Sequence, residues 1–178
     1  MSSQYIPKAV KYLQLAQEGC PLQGVVPLAA LERLAGFITS REGNVSYTLR
    51  FKKQRRDGRI KVSGEVRTDL MMTCQYCLEP VSMVVEATIA LVLVRSEDEA
   101  GLLESGVDAL VVAGEEIDPV AIIEDDLILA LPMVPRHMND EGESECIGQL
   151  GYEKTSIDPG EDKPNPFAVL AGLKDRDN

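Results

Sequence analysis

Hydrophobic and polar positions change period along this chain, and the changes mark out its segments. From Asn44 onward apolar residues take every second place: Val45, Tyr47, Leu49 and Phe51 alternate with Ser46, Thr48 and Arg50. Successive side chains of a strand point to opposite faces, so this pattern predicts a half-buried strand with Tyr47 and Phe51 on the core side. Asp57-Gly58 predicts a tight hairpin, because a two-residue type I′ turn needs positive φ at both central positions. A return strand follows over Arg59–Thr68, again alternating, with Gly64 as a candidate bulge and Met71–Cys74 as a continuation. Pro80 breaks the run. Val81–Val94 then reads as one long strand whose second half is apolar on both faces, and Ala109–Val112 as a further short one.

Helical spacing brackets this β region. Pro7 is a candidate start for a short helix carrying Val10, Leu13 and Ala16 on one face, ended by Gly19-Cys20-Pro21. Pro27, followed by Leu28, Leu31, Leu34 and Ala35 up to Gly36, predicts a helix over Leu28–Ala35. The strongest helix opens at Asp118-Pro119, a favoured N-cap followed by the residue best suited to the first turn. Val120, Ile123, Leu127 and Leu131 form its apolar stripe, Glu124, Asp125 and Asp126 its solvated side, and Pro132 its end. Asn165-Pro166 repeats the same start ahead of Phe167, Leu170, Ala171 and Leu173. A helix that short is not stable alone in water, so docking on the protein's own core is expected. Ser96–Gly106 reads as an acidic loop, and residues 135–163 as an acidic loop or locally disordered insert. The prediction is an α+β fold: an antiparallel β-sheet of four to five strands, open or barrel-like, packed by three helices. Residues 1–178 are expected to form a single domain.

Composition narrows the class. No apolar run approaches the roughly 18 residues of a membrane helix. Met1–Gln14 lacks the apolar stretch and small-residue cleavage site of an export signal. A cytoplasmic protein with no membrane partner is expected. The net charge of −11 argues against nucleic acid until its distribution is examined. Arg41–Arg67 holds nine basic residues against three acidic ones, whereas Ser96–Asn165 holds three basic against nineteen acidic. Either these are two solvated regions, or they are two faces for two kinds of partner.

An enzyme is not indicated. His137 is the one histidine, no serine sits in a nucleophile motif, and the glycines do not form a phosphate-binding loop. Nothing points to a small-molecule substrate. Asp125 and Asp126 point in different directions on their helix, which makes a solvated face the simpler reading of the Glu124-Asp125-Asp126 triplet. Cys20 stands alone and is expected to be an ordinary buried or half-buried residue.

The other cysteines suggest a metal. Cys74-Gln-Tyr-Cys77 has the spacing with which two thiolates of one turn grip a tetrahedral Zn²⁺ ion. His137 and Cys146, within the acidic loop, would complete a site of Cys74, Cys77, His137 and Cys146. The spacing is looser than in a compact zinc finger, and Leu78 stands where a zinc knuckle usually has Gly. Reduced, unliganded thiols and a redox pair remain open, the latter weakened by flanks that look like β-structure rather than a helix N-terminus. A second candidate site is the basic hairpin of Arg50, Lys52, Lys53, Arg55, Arg56, Arg59 and Lys61, dense enough in charge to contact nucleic-acid phosphates. The alternative is a solvated edge whose cations discourage edge-to-edge pairing.

Two longer stretches are distinctive. Asp118–His137, a proline-capped helix running into Leu131-Pro132-Met133-Val134-Pro135-Arg136-His137, resembles the central signature of the YceD family. Lys163–Lys174, with Pro164-Asn165-Pro166-Phe167-Ala168-Val169-Leu170, resembles that family's C-terminal motif, and Cys74, Cys77 and Cys146 match its cysteines. The resemblance implies a bacterial or organellar protein associated with accumulation of large-subunit ribosomal RNA, and it brings no catalytic residue. Two modes of action are then open. The basic hairpin contacts ribosomal RNA directly, or the acidic half shields a basic large-subunit ribosomal protein without touching RNA.

Overall fold

A computed structural model describes residues 6–139 and Cys146. Its centre is a five-stranded sheet built from β2 (Leu22–Pro27), β3 (Asn44–Lys53), β4 (Ile60–Thr73), β5 (Pro80–Val94) and β6 (Asp108–Val111), in that spatial order. A two-stranded ribbon pairs β1 (Val10–Lys11) with β7 (Glu116–Ile117). Three α-helices complete the described chain: α1 (Tyr12–Glu18), α2 (Glu97–Ala100) and α3 (Pro119–Ala130). None is long and apolar enough to cross a membrane.

The alternation in β3 and β4 does what strand geometry requires. Val45, Tyr47, Leu49 and Phe51 are buried together with Ile60, Val62, Val66, Leu70 and Met72 on the inner face. The outer face carries Arg50, Lys52, Lys61, Glu65 and Arg67 into solvent. α3 packs against β5 and α1 against β3, closing a core of Leu, Val and Ile side chains. The α+β expectation holds, and the sheet stays open, with β2 and β6 as its edges.

Several details differ from the sequence reading. The sheet is mixed, because β6 runs parallel to β5. Parallel neighbours need a crossover of about a dozen residues or more, and the segment Arg95–Val107, with α2 capped by the Ser96 hydroxyl, supplies it. That segment also explains the doubly apolar end of β5. Val92 points to the outer face yet is only 4% exposed, beside Leu102, Leu103 and Val107 of the crossover. The helix expected over Leu28–Ala35 is instead two 3₁₀ turns, Leu28–Ala30 and Leu34–Gly36. Leu28, Leu31 and Leu34 recur at intervals of three, the 3₁₀ period, and all three are buried. The first helix starts at Tyr12 rather than Pro7 and stops at Gly19, whose φ of 69° closes it.

Gly64 is not a bulge, since its pairing with Leu49 and Ile89 is continuous. A Cβ there would lie 2.2 Å from the Thr48 carbonyl oxygen, so the strand needs glycine for a close backbone approach. Asp57-Gly58 does sit in a hairpin, but the loop is the longer Gln54–Arg59, between the Lys53–Ile60 pair. Cys20 is exposed rather than buried. The helix expected over Phe167–Leu173 and most of the 135–163 loop lie outside the described residues.

Candidate metal centre and basic surface

β4 and β5 are joined by the loop Cys74–Glu79. The Cys74 N–H donates to the Glu79 carbonyl at 2.9 Å, and the Leu78 N–H to the Cys74 carbonyl at 3.0 Å. This turn folds both thiols toward one side, where the segment after α3 meets them. The Gln75 N–H donates to the Pro135 carbonyl at 2.8 Å, which brings His137 beside the turn. Cys146, far along the sequence, is buried against the same place.

The four predicted ligands therefore converge, with their ligand atoms all within 4.8 Å of one another. Cys74 Sγ lies 3.5 Å from Cys146 Sγ, and Cys146 Sγ lies 3.7 Å from Cys77 Sγ. His137 Nδ1 is 3.5 Å from Cys77 Sγ and 3.1 Å from Cys146 Sγ. Around a tetrahedral ion with metal–sulfur bonds of about 2.3 Å and metal–nitrogen bonds of about 2.0 Å, the edges are about 3.8 Å (S···S) and about 3.5 Å (S···N). Three of the four measured edges fall within a few tenths of an ångström of these values. The residues fit a tetrahedral metal ion.

The surroundings suit the same use. His137 Nε2 lies 3.2 Å from the Pro80 carbonyl, which can only accept, so a hydrogen bond there places a proton on Nε2 and leaves Nδ1 as the nitrogen that faces the thiols. Burial pushes the Cys74 thiol up, but the backbone N–H groups of Cys77 and Tyr76, with His137 and Cys146, outweigh it and bring the group down to about 5. Burial, joined by hydrogen bonds to Cys74 and Cys77, pushes Cys146 up to about 11. Leu78 has φ of 63°, the left-handed conformation for which glycine is the usual choice in a knuckle. The backbone of the knuckle is kept although its glycine is not. Cys74 and Cys77 lie on a hairpin, not at a helix N-terminus, so no macrodipole activates them for redox exchange.

The basic set clusters at the other end of β4. Arg50, Lys52, Lys53, Arg55, Arg56 and Lys61 are exposed, and Arg59 is half-buried. Lys52 stands directly opposite Lys61 across the β3–β4 pair, and Arg50 lies two residues along the same face. Like charges in that relation destabilise a sheet. Arg56 pairs with Glu104 at 3.3 Å and Arg59 with Asp57 at 3.2 Å. Among the described residues, Arg50, Lys52, Lys53, Arg55 and Lys61 have no ion-pair partner.

The acidic triplet is less of a solvated face than its sequence suggests. Glu124 is buried, and its carboxylate accepts from the Arg33 N–H at 2.7 Å, the Leu34 N–H at 3.0 Å and Arg33 Nε at 2.9 Å. Asp125 binds the other end of the same guanidinium. Two of the three carboxylates are thus committed to holding the second 3₁₀ turn on α3. Sequence reasoning also missed the apolar wall that Leu102, Leu103 and Val107 set opposite the basic hairpin. The only available signal was an acidic segment with three unexplained aliphatic residues.

Residues 62–174 match the family described as "Large ribosomal RNA subunit accumulation protein YceD". All four Cys/His residues lie inside that match, while Arg50–Lys61 lies just before it. A protein of that name from Haemophilus influenzae is 31% identical over 176 residues, covering 96% of this chain and 97% of its own length. No solved structure matches.

Proposed function

The chain belongs to the YceD family, and on that premise we propose a non-enzymatic factor for accumulation of large-subunit ribosomal RNA that binds the RNA directly. The carrying observation is the row of unpaired cations on the outer face, above all Lys52 opposite Lys61. A sheet that places like charges face to face sacrifices stability, and a polyanion laid across them removes the repulsion. The matched description names accumulation of an RNA and no reaction.

The Cys74, Cys77, His137 and Cys146 cluster is read as a structural zinc site. Three thiolates and one imidazole form a closed set with no position left for a reacting water. When bound, the ion would tie the segments carrying His137 and Cys146 to the β4–β5 turn. The protein's role there is to supply the turn, the Nε2–carbonyl contact that orients His137, and the burial that excludes water.

The test is ultraviolet crosslinking of the tagged protein in cells, with sequencing of the attached RNA. Discrete crosslinks in large-subunit ribosomal RNA that vanish when Lys52, Lys53, Arg55 and Arg56 are neutralised are the expected result. If the neutralised protein still supports normal levels of that RNA, direct contact through this face is wrong. The exposed carboxylates of Glu97, Asp98, Glu115 and Glu116 then become the candidate surface for a basic large-subunit ribosomal protein.

A further inference from the structure

The basic hairpin does not stand on an open face. Facing it is the crossover between β5 and β6, and the two walls enclose a groove of about 850 Å³. That is within the roughly 300–1,000 Å³ of ligand-sized sites. The walls differ in chemistry. One carries Lys52, Lys61 and Arg55; the other carries Leu102, Leu103 and Val107. Leu102 is 76% exposed and Val107 40% exposed, so these aliphatic side chains face water rather than the core.

We infer that this groove holds an unpaired RNA nucleotide, its phosphates on the cationic wall and its base against Leu102 and Val107. The inference rests on the RNA-binding reading and narrows it to single strands. In an A-form duplex the bases are stacked and only phosphates, hydroxyls and base edges are presented, which gives the cations a partner and leaves the aliphatic wall wet. An unstacked base offers an apolar face a short reach from its own phosphate, and the groove sets charge and hydrocarbon on the walls of one concavity. No aromatic side chain lines the groove, so the base is covered by aliphatic contact rather than ring stacking. Glu104 stands on the same wall and is neutralised by Arg56. Its pairing keeps a carboxylate from facing the phosphates alone.

The experiment is fluorescence anisotropy with two labelled probes of equal length, an unstructured oligoribonucleotide and a perfect RNA duplex, over a salt series. Leu102→Ser is the informative variant, because an exposed side chain can be changed without unfolding the chain, as circular dichroism would verify. The expected result is that Leu102→Ser weakens the single strand about fivefold, the loss expected when roughly 40 Å² of apolar contact is given up, and leaves the duplex unchanged. Replacing Lys52 and Lys61 by Ser should weaken both probes and flatten the single-strand salt slope by about 1.4. Equal binding of both probes, or single-strand binding insensitive to Leu102→Ser, overturns this inference while leaving RNA contact standing. Binding of neither probe at low salt overturns the RNA reading itself.

Discussion

Two hairpin loops terminate the same strand, β4, and they share one backbone. In each, the first residue donates its N–H to the carbonyl of the sixth: Gln54 to Arg59 at 2.8 Å, and Cys74 to Glu79 at 2.9 Å. In each, the fifth residue donates to the first: Gly58 to Gln54 at 3.1 Å, and Leu78 to Cys74 at 3.0 Å. The fifth residue is left-handed in both, with φ of 74° and 63°. The difference lies in the fourth position. Asp57 turns back and accepts from the Arg59 N–H at 3.1 Å, so the basic loop satisfies itself. Cys77 turns outward to His137, so the thiol loop is completed only by a distant segment. One turn, used twice, becomes a self-contained charged tip at one end and a docking point at the other. The ends of β4 are roughly 45 Å apart at ordinary strand rise, so the two chemistries have little direct means of interfering.

The largest expected effect tests whether the thiol loop depends on a metal. Protein purified without chelator should carry a mass increment of one zinc ion in native mass spectrometry, and Cys74→Ser should lose it. Structural zinc carries an apparent binding free energy on the order of 10 kcal/mol, so chelation or Cys74→Ser should lower Tm by about 10 °C or more. Affinity should also rise with pH. Cys146 is protonated near neutrality, and ligation expels that proton, which gives about tenfold or more per pH unit. Cys74 adds a further proton only below about pH 5. Absence of zinc in freshly purified protein would end the metal reading. The basic loop should pass through chelation with its RNA affinity unchanged.

Gly64 lies within the strand that connects the two loops. Gly64→Ala brings a Cβ within 2.2 Å of a backbone carbonyl and 2.9 Å of Leu49 Cδ2. A cost of about 3 kcal/mol is expected in chemical denaturation, because backbone rather than a side-chain tip must move. Glu124→Ala should cost about the same. It strips the acceptor from two backbone N–H groups, one of them on fully buried Leu34, and leaves Arg33 without its principal partner. Both substitutions should act on stability while leaving RNA contact and metal content intact in the folded fraction.

These cases show where the sequence was informative. β3, β4 and the first half of β5 were legible because each buries one face, and burial of one face leaves an alternating trace. The Cys/His cluster was legible because an otherwise polar segment carried the single histidine and a cysteine. β2 left no such trace: Leu22-Gln23-Gly24-Val25-Val26-Pro27 is short and Gly-bearing, Pro21 before it read as the end of one helix, and its own Pro27 read as the start of another. Leu28, Leu31 and Leu34 satisfy both the 3₁₀ and the α period over so short a span. What decided between them is Glu124, whose carboxylate takes the Arg33 and Leu34 N–H groups from a position 90 residues away. A sequence read locally has no access to that partner.

The smallest expected effect is the most direct test of the shared turn. Substituting the fifth residue should cost the basic loop stability and leave the thiol loop neutral or mildly more stable. Gly58→Ala meets no steric obstacle, since its Cβ would lie 3.7 Å from Lys53 Cε, yet it forces a left-handed backbone on an L-residue. A loss of about 1 kcal/mol is expected. Leu78 bears that cost already, and its side chain is 72% exposed, so little packing offsets it. Leu78→Gly removes the strain but gives the unfolded chain more freedom, and these terms oppose each other at about 1 kcal/mol each. The net change should therefore be neutral or mildly stabilising, read as a small rise in denaturation midpoint at unchanged slope. A clear loss at Leu78→Gly would mean that the leucine side chain has a contact of its own to protect, and that the two loops share a backbone for different reasons.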